Sequence, residues 1–259
     1  MATFLFDEII FGPVNSRRLG ISLGINLLPN DSKFCNFNCI YCECGLTEES
    51  SFKYFKLHPR DEIKQALEEK LKYLKSNKKR LDTITYAGNG EPTLHPSFAE
   101  IIDDTIALRD NYYPAVEIAV LSNATKLGSV KVFNALNRVE KNILKLDSAF
   151  EETLVLLNQP FNDFSIQETV NNLKKFKGNF ILQTMFIQGE FKGIKIDNTT
   201  DKELDAWLKI ISVLNPKEVM IYTIERDTPY PDIFKVSKEK LFEIADKVNR
   251  IGISTQVSE

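Results

Sequence analysis

Residues 35–42 read Cys35-Asn-Phe-Asn-Cys39-Ile-Tyr-Cys42, so three thiols are separated by three residues and then by two. The chain has no cysteine after Cys44. Three thiolates can ligate three irons of a four-iron cluster and leave the fourth iron open. Because a small molecule can bind and be cleaved at an open iron, Cys35, Cys39 and Cys42 predict a reactive [4Fe–4S] cluster.

A structural zinc site formed by these three cysteines and Cys44 is the competing interpretation. One residue separates Cys42 from Cys44, whereas zinc-binding pairs usually lie roughly two to four residues apart, so iron–sulfur binding is favoured. The four cysteines fall within 35–44 and cannot cross-link a 259-residue fold as a disulfide framework. Cys44 is expected to be a buried small residue, or to supply a hydrogen atom or protect the cluster.

The composition is that of a globular protein, with 43% apolar and 27% charged residues, a net charge of −3 and a pI of about 5.7. An acidic chain has no global attraction for nucleic acid. No apolar run approaches the roughly 20 residues of a membrane-spanning helix, and residues 1–10 lack the basic start of a signal peptide. These features predict a cytoplasmic protein without membrane association.

Strand and helix patterns alternate along the chain. Strands are predicted at 20–28, 82–87, 116–121, 142–146, 180–187 and 218–224. Helices are predicted at 61–76, 97–109, 129–138, 165–178 and 237–250, with one more beginning after Thr200. Regular alternation predicts an α/β fold with six parallel strands and outer helices, an open, partial (βα)6 TIM-like barrel.

One domain over residues 1–259 is predicted, with an N-terminal extension of about 1–18 and a cluster loop of about 29–57. The longest connection, 188–199, is a candidate lid or substrate loop, or else a solvated surface connection.

The run Tyr86-Ala-Gly88-Asn89-Gly90-Glu91-Pro92 follows a predicted strand, where reactive groups of such folds lie. Its glycines let the backbone approach a ligand, and Glu91 could accept hydrogen bonds from an ammonium group. Tyr41, next to Cys42, could place a flat face beside a purine or be a packing aromatic.

Alternation of side chains along strands predicts that Asn123, Lys145, Asp147 and Gln183 point inward. Such a polar interior suits a sugar hydroxyl, an amino-acid zwitterion and a substrate. Each residue could instead make an interior hydrogen bond or ion pair, and Lys145 is expected to pair with Asp147 or Glu117.

These motifs resemble those of the radical S-adenosylmethionine (SAM) superfamily. The stretches FGPVNSRRLGISLGI, CNFNCIYCECG, GNGEPTLHP and QTMFIQGE are similar to its group of iron–sulfur oxidoreductases related to wyosine synthase, which modifies tRNA. The resemblance extends over nearly the whole chain.

The resemblance implies a role for each motif. Cys35, Cys39 and Cys42 would ligate the cluster, and the open iron would take the amino and carboxylate groups of SAM. Tyr41 would pack near the adenine. The turn Gly90-Glu91-Pro92, with Gly88 and Asn89 before it, would bind the methionine amino group. Asn123, Asp147 and Gln183 are further candidate cofactor contacts, and no catalytic residue is assigned.

The resemblance also implies the reaction. SAM would be cleaved reductively to a 5′-deoxyadenosyl radical, which abstracts hydrogen from a substrate, with a tRNA base as the first candidate. A reductant such as flavodoxin or ferredoxin would supply the electron. The alternatives are a glycyl-radical-type activating enzyme and a non-catalytic iron–sulfur or zinc module.

Overall fold

The computed structural model describes residues 4–48 and 55–258. The chain divides into two compact units, which are taken separately here. The N-terminal unit comprises Leu5–Cys35 and Thr47–Asn142, and the C-terminal unit comprises Met1–Phe4, Asn36–Leu46 and Ile143–Glu259. The prediction of one domain over residues 1–259 stays a prediction.

Eleven strands and seven α-helices form in the described residues. The strands are β1 (Ile10–Ser16), β2 (Gly20–Ile25), β3 (Thr83–Tyr86), β4 (Glu117–Ser122), β5 (Lys141–Lys145), β6 (Ile181–Met185), β7 (Ile187–Phe191), β8 (Ile194–Asp197), β9 (Glu218–Tyr222), β10 (Ile233–Lys235) and β11 (Ser254–Ser258). The helices are α1 (Arg60–Ser76), α2 (Phe98–Tyr112), α3 (Val130–Leu136), α4 (Glu151–Asn158), α5 (Ile166–Lys174), α6 (Asp201–Leu214) and α7 (Lys238–Arg250).

In the N-terminal unit, β1 and β2 form an antiparallel pair, and β2, β3 and β4 are parallel neighbours. Leu23 lies opposite Ile84, which lies opposite Ile118, and all three are fully buried. Helix α1 buries the apolar face that its sequence predicts, formed by Ile63, Leu67, Leu71 and Leu74. The carboxyl ends of β3 and β4 therefore lie side by side, which is where the predicted Gly-Glu-Pro turn and Asn123 begin.

In the C-terminal unit, β5, β6, β9 and β11 are parallel neighbours in that order. Helices α5 and α6 are capped at their N-termini, because the side chains of Ser165 and Thr200 accept hydrogen bonds from the third residue of their helices. Trp207 of α6 packs edge-on against Phe186, with ring centroids 5.4 Å apart. The predicted α/β class with parallel strands and intervening helices is confirmed.

Six elements were not predicted: β1, β7, β8, β10, β11 and α4. Strand β1 contains a Gly-Pro step with a register shift between Phe11 and Val14, which interrupts the strand pattern. Helix α4 spans eight residues, and β11 is a partly exposed strand with no apolar run. Short or irregular elements carry too little periodicity to be recognised, so the predicted count of six strands is too low.

Residues 188–199, predicted as a single connection, contain two strands, and their role as a lid or substrate loop stays a prediction. Strands β7 and β8 form an antiparallel hairpin there, joined by Lys192 and Gly193, which both have positive φ. Strand β10 pairs with β7 to make a three-stranded sheet. A two-residue turn ending in glycine favours a tight hairpin, a signal that the sequence analysis did not use.

Candidate cluster and cofactor site

In the C-terminal unit, Cys39 and Cys42 lie on a backbone turn. The Cys42 N–H donates to the Cys39 carbonyl at 3.0 Å, and the Gly45 N–H donates to the Cys42 carbonyl at 3.0 Å. Cys39 is buried, while Cys42 is partly exposed, and neither forms a disulfide. Two reduced thiols are thus held by short-range bonds.

The residues around Cys39 pair with the chain that leaves α4. Segment 36–40 runs antiparallel to segment 157–161. The bonds are Asn38 N–H to the Gln159 carbonyl at 3.1 Å, Ile40 N–H to the Leu157 carbonyl at 2.9 Å, and Phe161 N–H to the Asn36 carbonyl at 3.2 Å. This register places Asn158 opposite Cys39.

A buried polar network surrounds that pair. The Asn158 amide nitrogen lies 3.4 Å from Cys39 Sγ, 2.8 Å from the Tyr41 hydroxyl and 2.9 Å from Asp147 Oδ2. The Tyr41 hydroxyl also donates to Asp147 and accepts from Lys145 Nζ at 3.1 Å. The expected ion pair of Lys145 with Asp147 is confirmed, with Nζ 3.6 Å from Oδ2. Tyr41 and Asp147 are therefore fixed as hydrogen-bonded members of one network.

The electrostatics of this network keep its groups in their ordinary charge states. Burial, followed by the Asp147 carboxylate, raises the pKa of Tyr41 well above its ordinary value. Burial alone would lower the pKa of Lys145, but Asp147 and Tyr222 outweigh it, so the pKa of Lys145 is raised. Tyr41 stays a neutral phenol and Lys145 stays an ammonium group at physiological pH.

In the N-terminal unit, the Gly-Glu-Pro turn lies against the residue before Cys35. The Phe34 N–H donates to the Asn89 carbonyl at 2.8 Å, and the Glu91 N–H donates to the Phe34 carbonyl at 3.1 Å. Gly90 has a φ of 139°, and a Cβ there would collide with the Phe34 carbonyl. Gly88 is needed for a similar reason, since its Cβ would collide with Asn26. The glycines permit this close backbone approach.

Glu91 is buried beneath the turn with 2% exposure. Its Oε1 accepts from the Thr93 N–H at 3.1 Å, the Thr93 hydroxyl at 2.5 Å and the Ser122 hydroxyl at 2.9 Å. Its Oε2 accepts from the Asn123 N–H at 2.6 Å. Burial raises the pKa of Glu91 despite these donors. A carboxylate with roughly four acceptor positions is nearly filled by these bonds.

Asn123 follows β4 and reaches the sulfur of Cys35. Its Nδ2 lies 3.8 Å from Cys35 Sγ, and its Oδ1 accepts from the Thr125 N–H and hydroxyl at 3.1 and 2.7 Å. Ala124, the next residue, has a φ of 67°, which is uncommon outside glycine. The side chain of Asn123 is therefore tied to its own turn while its amide faces a cysteine.

The remaining predicted site residues are engaged to different degrees. Asn89 is fully buried, and its side chain bonds to the Phe6 and Pro29 backbone, so it braces the turn. Pro92 begins a 3-10 turn, Pro92–Leu94. Gln183 is 5% exposed and lies beside Lys145 on the neighbouring strand.

Sequence reasoning missed Asn158, Thr93 and Ser122. Asn158 ends a helix that was not predicted, so its position opposite Cys39 had no signal in the sequence. Thr93 and Ser122 had weak signals, since each adjoins a predicted site residue. Cys44, expected to be buried, is partly exposed.

The side-chain chemistry of the cysteine motif is that of ligands to a four-iron cluster. Cys35, Cys39 and Cys42 form no disulfide, and amide nitrogens face the sulfurs of the first two. Amide donors stabilise the negative charge of thiolate ligands. Among the described residues, no group of three or more His, Cys, Asp or Glu could hold a single metal ion. A cubane places each thiolate on a different iron, so its ligands need not converge on one point.

Comparison with known proteins decides the family. Residues 30–193 match the radical SAM superfamily. The chain belongs to the radical SAM superfamily. This confirms the predictions of a radical SAM enzyme and of its cofactors, a [4Fe–4S] cluster and SAM.

Curated relatives share about a third of their aligned residues with this chain. The protein named GTPase Obg from Brachyspira hyodysenteriae is 32% identical over 223 residues, which are 85% of this chain and 30% of that protein. A UPF0026 protein from Synechocystis sp. is 30% identical over 224 residues, which are 85% of this chain and 77% of that protein.

Solved structures share the fold at low identity. A radical SAM methyltransferase from Sphaerobacter thermophilus has a TM-score of 0.67 at 14% identity and covers 92% of this chain and 65% of its own. TYW1 with a lysine-pyruvate adduct bound has a TM-score of 0.60 at 13% identity and covers 88% of this chain and 73% of its own. These structures confirm the partial TIM-like barrel class.

Within residues 4–48 and 55–258, none of the helices combines the length and apolar character that crossing a bilayer requires.

Proposed function

We propose that this chain holds a [4Fe–4S] cluster through Cys35, Cys39 and Cys42 and uses it with SAM to start a radical reaction on a substrate. The observation that carries the proposal is the set of three cysteines at this spacing, none of them in a disulfide and two of them facing amide donors. The bound cofactors would supply one-electron reductive cleavage of the sulfonium C–S bond of SAM and hydrogen-atom abstraction from the substrate.

The turn at Gly90 is proposed to hold the methionine amino group of SAM. The Glu91 carboxylate already accepts four bonds from Thr93, Ser122 and Asn123, so it positions the turn instead of binding the ammonium group itself. No hydrogen bond from the described residues reaches the Gly90 carbonyl, which makes it the acceptor that the turn can offer. The side chain of Asn89 supports this arrangement by donating to the backbone carbonyls of Phe6 and Pro29.

Of the inward-facing polar residues, Gln183 is proposed to contact SAM or the substrate directly. The residue is 5% exposed and lies beside Lys145 of the Tyr41 network on the neighbouring strand. An amide at that position can both donate to and accept from a ligand. The Asp147 carboxylate is bonded to Tyr41, and the Asn123 side chain is bonded to Thr125, so these two residues are proposed to position Tyr41 and the turn after β4. Tyr41, whose hydroxyl is fixed, is proposed to lie near the adenine.

A tRNA base is the first substrate to test, because the motifs resemble those of the wyosine synthase group. A net charge of −3 fits a footprint with few phosphate contacts. The raised pKa of Lys145 and its ion pair with Asp147 oppose a nucleophilic role for this lysine. Four cysteines without a disulfide fit a reducing compartment such as the cytoplasm, where flavodoxin or ferredoxin would supply the electron.

The test is anaerobic incubation of the reconstituted protein with dithionite and SAM, followed by mass spectrometry for 5′-deoxyadenosine. Formation of 5′-deoxyadenosine that depends on all three cysteines supports the proposal. A protein that is brown and reducible but consumes no SAM would be an electron carrier, and a colourless protein with one zinc would be a zinc module. Adding bulk tRNA and analysing its nucleosides for a new modified base tests the substrate class separately.

A further inference from the structure

Asn158 ends α4 and lies opposite Cys39 in the antiparallel pairing of segments 36–40 and 157–161. Its side chain is buried, and its amide nitrogen is 3.4 Å from Cys39 Sγ. Side chains of directly opposed residues in antiparallel pairs are neighbours. The contact with the sulfur is therefore set by the backbone register.

The orientation of the Asn158 amide is fixed by two oxygen acceptors. Its nitrogen lies 2.9 Å from Asp147 Oδ2 and 2.8 Å from the Tyr41 hydroxyl. An amide group has two N–H donors, so one serves Asp147 and the other is shared by the Tyr41 hydroxyl and the Cys39 sulfur. The flipped amide would place its carbonyl oxygen against the carboxylate and the sulfur, where the charges repel. The donor must therefore face Cys39.

We propose that Asn158 is a positioning residue that raises the reduction potential of the cluster through a hydrogen bond to the Cys39 thiolate. The proposal rests on the proposed function, since it requires the cluster at Cys35, Cys39 and Cys42. When the cluster is reduced by one electron, negative charge is added to the cluster and its thiolate ligands. An N–H donor stabilises that charge more strongly in the reduced state, so the cluster accepts the electron more readily.

The main variant is Asn158→Leu, which keeps a side chain of similar size and removes the donor. We expect the equilibrium constant for one-electron reduction to fall about tenfold, which equals a midpoint potential lower by about 59 mV. The potential is measured by anaerobic titration of the cluster-loaded protein, followed by the electron paramagnetic resonance signal of the reduced cluster. Asn158→Ala leaves room for a water that can donate to the sulfur, so its constant should fall by less, about threefold.

Asn142→Leu is the matched control. Asn142 is as buried as Asn158, and neither atom of its amide has a hydrogen-bond partner among the described residues. Its replacement removes a buried asparagine without removing a donor to sulfur, so the potential should equal that of the unchanged protein. A merely structural role of Asn158 would alter iron content or thermal stability but would leave the potential of the loaded fraction unchanged.

Equal potentials in the unchanged protein, Asn158→Leu and Asn158→Ala overturn the inference. The same holds if both Asn158 variants lose the cluster while Asn142→Leu keeps it, because Asn158 would then retain the cluster and not tune it. Failure of the proposed function looks different: the unchanged protein would then bind no four-iron cluster, or would bind one and consume no SAM.

Discussion

Cys35 in the N-terminal unit and Cys39 in the C-terminal unit each face an asparagine amide, but a different kind of carboxylate holds each asparagine. The backbone N–H of Asn123 donates to Glu91, a buried carboxylate whose described partners are neutral hydroxyl and backbone N–H groups. Asn158 is bonded to Asp147, a buried carboxylate that is paired with the ammonium group of Lys145.

This difference determines how much a substitution at each carboxylate or its partner destabilises the protein. A carboxylate with neutral partners loses hydrogen bonds when it is changed, whereas one partner of an ion pair leaves an opposite charge behind. The two cysteine environments should therefore respond unequally to equally conservative substitutions.

Replacing a cluster ligand should have the largest effect in either unit. Cys35→Ala and Cys39→Ala each remove one of three thiolates. Cys44 is the one remaining cysteine of the chain that could replace the lost ligand. We expect loss of nearly all cluster iron in both variants and in Cys42→Ala, measured by iron analysis and visible absorption after anaerobic purification.

Cys44→Ala is the control and should keep the cluster and SAM cleavage. Retained iron in all three ligand variants would contradict the ligand assignment in both units at once. Loss of iron in Cys44→Ala would mean that the ligand set contains Cys44.

Removing the cation of the C-terminal network should have the next largest effect. Lys145→Met leaves Asp147, whose side chain is fully buried, without its counter-ion. We expect a loss of about 3–5 kcal/mol in the free energy of unfolding, measured by thermal denaturation of the cluster-loaded protein. The double variant Lys145→Met with Asp147→Asn should recover part of the loss, because no unpaired charge then remains. If the double variant loses as much unfolding free energy as Lys145→Met and Asp147→Asn lose together, the two side chains are not energetically coupled.

The N-terminal environment was more predictable from the sequence than the C-terminal one. Gly88, Gly90 and Glu91 lie within four residues, and strand β3 before them has a clear apolar pattern, so both the turn and its location could be inferred. The bonds from Ser122 and Asn123 follow because β3 and β4 are adjacent parallel strands.

The C-terminal environment depends on contacts between residues far apart in sequence. Asn158 contacts Cys39 across 119 positions and Tyr41 across 117. Helix α4, which places Asn158, has eight residues and no strong period. Inward positions of Lys145 and Asp147 could be inferred from strand alternation, but their common bond to Tyr41 could not.

Changing Glu91 should cost less than changing Lys145. Glu91→Gln keeps the size of the side chain but turns one acceptor oxygen into a donor, which faces either Thr93 or Asn123. We expect a loss of about 1–3 kcal/mol in the free energy of unfolding, measured by thermal denaturation, with faster hydrogen exchange at the backbone N–H of Asn123. Glu62→Gln, at an exposed position in the first turn of α1, is the control and should change stability by less than about 0.5 kcal/mol. A loss as large as that of Lys145→Met would remove the difference between the two environments.

The smallest effect concerns pH, and it should also separate the two environments. His95, just after the turn, accepts from the Ser97 N–H at Nδ1 and donates from Nε2 to the His58 carbonyl, so it is neutral. Burial lowers the pKa of His95 below its ordinary value. The folded state therefore binds this proton less readily than the unfolded state. The stabilisation by His95 is complete above the unfolded pKa of about 6.5 and is lost as pH falls through the lower, folded pKa.

In the C-terminal network, the pKa values of Tyr41 and Lys145 are raised from values that already lie at or above about 10, so neither group titrates between pH 5 and 8. We expect the advantage of the unchanged protein over His95→Gln in thermal stability to shrink by up to about 1 kcal/mol between pH 7.5 and 5. The stability difference between the unchanged protein and Lys145→Met should vary less over the same range. If the unchanged protein and His95→Gln lose stability in parallel as the pH falls, then His95 is not the titrating group. The evidence for a difference between the two cysteine environments would then come from the Glu91→Gln and Lys145→Met stabilities alone.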